Sequence, residues 1–424
     1  MKYWKKLSHK EQDKIITAAL DKNINYKDFT PLGIPVSKLD PNVFYEHASF
    51  LNEAPLLRTY IQNPNHIGCH TLGESEPFFE GTQQLEREII ELLSVDVFKA
   101  NINSCDGYIA AGGTEANIQA AWIYRNYFQK EFEAEINEIA LLSSSDTHYS
   151  VTKAANLLNI QSVTVDVDEN TRAISVASLD NKIEEAKRIG IKYFIVFANM
   201  ATTMFGSVDD PDLYAERLTI ARVHYKLHID GAFGGFIYPI SYPENNLNFA
   251  NEHVSSITLD AHKMLQAPFG TGIFIAKKGL MQFVYTKEAQ YVNGMDITLS
   301  GSRSGANAVA VWMILFTYGP HGWFEKINKL LYRTQWLCGK LEVYGFAFYR
   351  HPNLNIVTIK ASHIPADLAK KYGLVPDTHN SPPNWYKIVV MDHVEVDYLQ
   401  LFLNDLRERA NSYFQDSTPV SRVP

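Results

Sequence analysis

An α/β fold is predicted, with a large domain built on a mostly parallel sheet and a smaller α/β domain after it, and three observations predict it. Between Tyr108 and about Gly279, strand-like and helix-like runs alternate, the pattern of parallel strands joined by crossover helices. Past Gly322 a long helical run leads to two more strand-like runs and a closing helix. The chain has 424 residues, 46% hydrophobic and 20% charged, enough for a large core plus a small one.

Taken in order, the first 65 residues read as an arm. Ser8 with Glu11 forms a capping-box pattern for a helix to about Leu20, and Pro31, Gly33, Pro35, Pro41 and Pro55 then interrupt regular structure. The arm's apolar residues, Phe44, Tyr45, Phe50 and Leu51 among them, require a surface to cover, on this chain or on another. Leu85, Ile89, Leu92 and Leu93 share one face of a scaffold helix. Strands are expected at 139–142, 162–167, 193–199, 227–230 and 272–276, short runs rich in β-branched or apolar residues, and a further short strand leads up to Asp260. The large domain is expected to span residues 66–320 and the small one 321–424. In the latter, strands fall near 355–359 and 386–391, and Leu399, Phe402, Leu403 and Leu406 line one face of the closing helix.

Charge and cysteine usage narrow the function. A net charge of −8 without a basic cluster argues against nucleic acid or an anionic membrane as partner. Cys69, Cys105 and Cys338 cannot all pair and lack metal-ligand spacing, so reduced thiols and no metal site are expected. The start, Met1 to Lys6, has no apolar stretch after it, and no run is long enough to span a bilayer. A cytoplasmic protein is the default.

The chemistry centres on Lys263, in Leu259-Asp260-Ala261-His262-Lys263. Most lysines are solvated surface charges, but this one follows a strand and precedes Gly270 and Gly272, in a loop suited to chemistry. In His228-Ile229-Asp230-Gly231-Ala232, a buried strand presents Asp230 at its carboxyl end, where open α/β sheets place ligand groups. Gly112-Gly113-Thr114 directly precedes a helical run, so free N–H groups and the helix dipole face an anion. His148, within Ser145-Asp146-Thr147-His148, supplies an imidazole that could stack on a flat ring, or could be a core residue. Together the four segments describe a pyridoxal phosphate (PLP) site. A carboxylate holds the pyridine nitrogen protonated, small Ala232 admits the ring, the glycines take the phosphate, and the lysine forms a Schiff base.

These segments, with Gly301-Ser302-Arg303-Ser304-Gly305, resemble the group II PLP-dependent amino-acid decarboxylases from about His66 to Leu406, and most of all their short tyrosine/aspartate branch. The resemblance implies a fold type I, PLP-dependent transferase-like fold and a homodimer with shared active sites, the arm wrapping the partner. It implies decarboxylation of an L-amino acid to its amine and CO2. By residue, it implies that Gly113, Thr114, Ser256, His262 and Ser302 contact the phosphate, Ser302 across the dimer interface. Asp260 stands where many relatives carry Asn, which speaks against a phosphate contact for it. Thr203 would bond near the ring hydroxyl or its stacking histidine, or serve as a turn former. His148 stacks on the ring. Tyr291, on a mobile loop, would protonate the carbanion, with a core tyrosine as the plain alternative. Phe79 stands at the substrate wall or in the core, and Arg303 packs or binds a carboxylate. Other reactions remain open: carbon–carbon cleavage of the sphingosine-phosphate-lyase type, transamination or oxidative deamination, or an inactive PLP-binding scaffold. The residues that choose the substrate are not legible.

Overall fold

The computed structural model describes residues 32–33, 40, 42–43, 66–69, 80–287 and 295–416. β1 (His66–Ile67) pairs antiparallel with β9 (Arg303–Ser304), and a seven-stranded sheet forms the large domain: β2 (Cys105–Ala110), β3 (Ile139–Ser144), β4 (Gln161–Val165), β5 (Tyr193–Asn199), β6 (His224–Asp230), β7 (Val254–Asp260) and β8 (Gly272–Lys277). Their order is β2-β8-β7-β6-β5-β3-β4. β8 pairs antiparallel with both β2 and β7, and all other pairings are parallel, so β8 alone runs against the rest. The expected mostly parallel sheet is therefore present, and six strands end at one edge.

Central strands read as uninterrupted apolar runs because helices cover both faces. Every residue of β3, β5 and β7 is buried. The crossover helix Val176–Arg188 presents Leu179, Ile183 and Ala186 to the core and is capped by Ser175, which accepts from Ser178 N–H. Pro211–Ile220 begins where the turn at Gly206–Pro211 predicts a helix, with Asp210 as cap and Pro211 at the first position. β2 was not expected from its composition. Asp106 and Gly107 are poor strand formers, yet a Cβ on Gly107 would lie 2.3 Å from Phe274 O of β8. Only glycine permits that approach.

The small domain carries a four-stranded antiparallel sheet, ordered β10 (Phe348–Tyr349), β11 (Ile356–Lys360), β13 (Trp385–Val389), β12 (Val375–Pro376). The helix Val396–Asp416 closes it, with Leu399, Phe402, Leu403 and Leu406 all fully buried, as their spacing predicts. The linking helix, expected from Gly322, belongs to a longer run, Gly305–Val343, interrupted at Gly319 (φ 59°) before Pro320. Past that break Trp323, Ile327 and Leu330 still pack in the core of the large domain, and Leu337, Cys338 and Leu341 join the core of the small one. Leu32 of the arm is fully buried in the small-domain core: it donates to Tyr372 O at 3.1 Å and accepts from Val389 N–H at 2.6 Å. Asp40 is buried against Lys326 and Tyr318. The described parts of the arm thus pack on their own chain. The capping-box helix and the arm's aromatic residues lie outside the described residues.

Candidate active site

Segments that follow strands at the common edge converge on a cavity of about 430 Å³. They are 111–117 after β2, His148 and Tyr149 after β3, Ala201 to Thr203 after β5, Asp230 to Phe233 at the end of β6, and Asp260 to Lys263 at the end of β7. Ligands bind where parallel strands deliver their loops. The structure brings Gly113, Thr114, His148, Thr203, Asp230, Ala232, His262 and Lys263 together around this one space.

At its base Lys263 Nζ lies 3.0 Å from Asp260 Oδ2, while His262 Nε2 is 3.6 Å from the same oxygen. His262 Nδ1 accepts from Thr271 N–H at 3.3 Å, so this nitrogen bears no proton in the neutral ring. Burial lowers the pKa of His262 below the ordinary range, Asp260 opposing. His148 behaves alike: burial lowers its pKa, with Asp230 opposing. Its Nδ1 receives Ser150 N–H at 3.2 Å and contacts Ser150 Oγ at 2.9 Å. The neutral imidazole therefore carries its proton on Nε2.

These residues fit a pyridoxal phosphate. The helix Gly113–Glu131 makes its first turn bond from Ala116 N–H to Gly112 O, 3.1 Å, so the N–H groups of Gly113, Thr114 and Glu115 precede any intrahelical acceptor. Space there is reserved by glycine: a Cβ on Gly113 would stand 3.0 Å from both Ala232 Cβ and Asp260 Oδ2, and one on Gly272 would stand 2.5 Å from the Gly112 backbone. Glu115, which would repel an anion, is engaged elsewhere, accepting from Ala111 N–H at 2.9 Å and Ser300 Oγ–H at 3.0 Å. Asp230, buried, accepts from Asn117 Nδ2–H at 2.7 Å and Ala232 N–H at 3.1 Å. The donor set matches the group: N–H groups for a phosphate, a carboxylate for a ring N–H, a lysine for an aldehyde.

Two expectations, Ser256 and Arg303, are corrected. Ser256 lies within β7, fully buried, bonded to Tyr124 and to His228 Nδ1 (2.6 Å), and does not line the cavity. It shares a strand face with Asp260 but lies four residues further back along β7, beneath Tyr124 and His228 and away from the strand end that meets the cavity. Arg303 is likewise buried, its Nη1 donating to Glu86 and its Nη2 to Gly68 O at 2.8 Å, and it does not line the cavity where a substrate carboxylate would sit. Arg303→Met should leave Glu86 charged and alone in the core, destabilising the fold by about 3–5 kcal/mol; equilibrium denaturation measures the loss. Ser302 is exposed and outside this subunit's cavity. Phe79 and Tyr291 lie outside the described residues.

Sequence reading gave no role to Asn117, His228 or Lys387. Lys387 of β13 is buried and its Nζ donates to Thr203 O at 3.0 Å. Among the described residues no carboxylate pairs with it, and burial, aided by the positive charge of Lys263, moves its pKa from 10.5 down to about 8. An alternating strand in the small domain gave no signal that one lysine turns inward to the wall of the cavity. Between pH 8 and 10.5 the unfolded chain holds this proton and the folded one does not, so stability rises with pH across that window; below 8 the lysine costs about 3 kcal/mol. Lys387→Met should therefore be more stable at pH 7, by about 2 kcal/mol once the lost hydrogen bond is counted, and the gain should vanish above pH 10.5. Paired denaturation curves of the two proteins across pH 6–11 check it.

Known proteins place this arrangement. The profile of the pyridoxal-dependent decarboxylase conserved domain matches residues 82–349. The chain is 55% identical over 408 residues to a tryptophan decarboxylase of Clostridium sporogenes, covering 96% of this chain and 98% of that one. It is 30% identical over 388 residues to a probable L-tyrosine/L-aspartate decarboxylase of Methanosphaera stadtmanae, covering 87% and 95%. Among solved structures, the L-methionine decarboxylase of Streptomyces sp. 590 superposes with a TM-score of 0.78 at 19% identity, covering 95% of each chain, which shows the common fold type I architecture. From the match, the fold and the donor set, the chain belongs to the pyridoxal-dependent decarboxylase family and is a PLP-dependent amino-acid decarboxylase.

Proposed function

We propose that this enzyme decarboxylates L-tryptophan to tryptamine and CO2. The observation that carries the reading is the 55% identity with a tryptophan decarboxylase, sustained over 96% of the chain. The cavity's chemistry supports it. Its described walls include Tyr149, Phe233 and Phe269, aromatic faces suited to a large flat side chain. The only cationic or potentially cationic side chains among the described wall residues are His148, His262 and Lys263. A second, side-chain carboxylate such as aspartate's would find no guanidinium there, and an unpaired buried charge is strongly disfavoured.

In this reading, Asp260 holds the Lys263 amino group beside the cavity before it reacts. The Nε2–H of His148 is available to the substrate carboxylate, which orients the bond to be broken. When bound, PLP supplies the electron sink for the pair left as CO2 departs. A proton then returns to Cα, from Tyr291 or a positioned water. Lys387, one N–H of which is committed to Thr203 O, adds positive potential behind the wall. We place Phe79, Tyr291 and Ser302 at a site shared between the subunits of a homodimer. Phe269, 84% exposed, and Tyr149, 65% exposed, leave apolar surface at the cavity mouth for a partner to cover. A cytoplasmic location agrees with Cys105 and Cys338, buried and free. No described helix is long and apolar enough to cross a membrane.

The test supplies the PLP-loaded protein with each of the twenty amino acids and detects CO2 and amine by mass spectrometry. Tryptophan should give stoichiometric tryptamine with the highest kcat/KM. Faster turnover of aspartate, histidine or methionine would overturn the assignment.

A further inference from the structure

Behind Asp230 lies a buried chain of hydrogen bonds whose direction can be worked out atom by atom. The Asp230 carboxylate accepts only, so the Asn117 atom 2.7 Å from Oδ2 must be the amide nitrogen. That fixes the amide. Its second N–H reaches Ser150 Oγ at 2.9 Å, and its oxygen faces His228 Nε2 at 3.0 Å. His228 Nε2 must therefore carry a proton. Burial moves the pKa of His228 down to about 3, so the ring is neutral and Nδ1 accepts. Its donor is Ser256 Oγ–H at 2.6 Å, and Ser256 accepts in turn from the Tyr124 hydroxyl. Asn117, His228, Ser256 and Tyr124 are all buried.

Each donor in this chain points the same way, from Tyr124 through Ser256, His228 and Asn117 to Asp230. Aligned hydrogen bonds in a low dielectric polarise one another and favour negative charge at the end of the line. The other amide hydrogen runs to Ser150, whose hydroxyl donates to His148 Nδ1 at 2.9 Å. One side chain thus ties together the carboxylate suited to the cofactor's ring nitrogen and the imidazole that flanks the same cavity.

We propose that Asn117 is a positioning residue that sets the tilt of the cofactor ring by holding Asp230 and His148 in fixed relation, and that His228 keeps the Asn117 amide in the orientation this requires. Every polar atom of Asn117 is used, and among the described contacts it is the residue that bonds Asp230 directly and His148 through Ser150. Truncation leaves both partners under-satisfied, whereas an acid at 117 would set two carboxylates side by side.

The experiment measures, for the full-length protein, the PLP dissociation constant, the circular dichroism of the bound cofactor's visible band, and kcat and KM. Asn117→Ala should weaken PLP binding by roughly 10- to 100-fold, the cost of a hydrogen bond to a charged group, alter the visible dichroism, and lower kcat more than it changes KM. Unchanged PLP affinity and dichroism in a folded Asn117→Ala protein would overturn the proposal. His228 provides a second test that leaves Asn117 in place. His228→Gln can still donate from Nε2 and should stay within about threefold of the parent in PLP affinity, while His228→Leu loses about tenfold. Equal impairment of the two, with matching apoprotein thermal stability, would refute the orienting role.

Discussion

Lys263→Ala should lower kcat by about four orders of magnitude, the scale seen when a covalent catalyst is removed from a site that can still bind. The structure adds a consequence beyond the loss of the reacting amine. Lys263 Nζ is the cation nearest to Asp260, 3.0 Å from Oδ2, and Asp260 Oδ1 is buried with no hydrogen-bond partner. Alanine leaves that carboxylate with His262, whose Nε2 is 3.6 Å away, as its ionic neighbour among the described residues. The apoprotein should then be less stable near neutral pH. Lys263→Arg separates the two roles, because a guanidinium keeps the ion pair but cannot form the bond to the cofactor aldehyde. Both variants should be inactive, and only the alanine variant should lose several degrees of melting temperature as apoprotein. PLP should still bind to both through the glycine cradle and Asp230, but should wash out on dialysis. Turnover by either variant within about a hundredfold of the parent, or a cofactor that resists dialysis, would contradict the assignment of Lys263.

What the sequence revealed and what it hid follow one physical division. Residues that touch the cavity directly sit at strand ends and helix starts, where backbone geometry demands particular residue types. Gly113 must lack a Cβ because Ala232 and Asp260 crowd it, and Asp230 must end a strand to face the cavity. Such demands leave compact marks in one dimension. His228 and Lys387 meet the site from behind and Asn117 from its wall, through contacts 111 and 184 residues apart in the chain, and an asparagine in a helix or a lysine in a strand carries no mark of its partner. Ser256 was misplaced for a related reason: it shares a face of β7 with Asp260, but four residues at about 3.3 Å each carry it away from the strand end, to a place beneath Tyr124 and His228. Arg303 fails differently. Its partner Glu86 lies 217 residues away, and the sequence offered no way to choose packing over substrate binding. Strands β5 and β8 were legible because they are apolar throughout, and β2 was not, because its place beside β8 depends on Gly107 having no side chain.

Asp230→Asn should cost about three orders of magnitude in kcat with a smaller change in KM, for two reasons that reinforce each other. An amide carries no charge, so it cannot hold a proton on the cofactor's ring nitrogen, and the ring loses the electron-accepting character on which departure of CO2 depends. The local bonding also becomes frustrated. Asp230 uses one oxygen for Asn117 Nδ2–H and the other for Ala232 N–H, and asparagine has a single acceptor oxygen. Whichever way its amide is turned, an NH2 group confronts one of these donors, in a buried setting where an unsatisfied donor costs about 1–3 kcal/mol. If Asn117 flips to present its oxygen, its NH2 confronts His228 Nε2–H, and its oxygen competes with His148 Nδ1 for the Ser150 hydroxyl. The substitution should therefore disturb the cofactor's dichroism as well as its reactivity. Asp230→Glu retains the charge and both acceptor oxygens but advances the carboxylate by one methylene, toward the ring. It should keep the ring nitrogen protonated, and retain more activity than asparagine despite its greater bulk. Steady-state kinetics of the three proteins decide the matter: a glutamate variant no better than asparagine would mean that the spacing set by Asn117, rather than the charge on residue 230, limits the reaction.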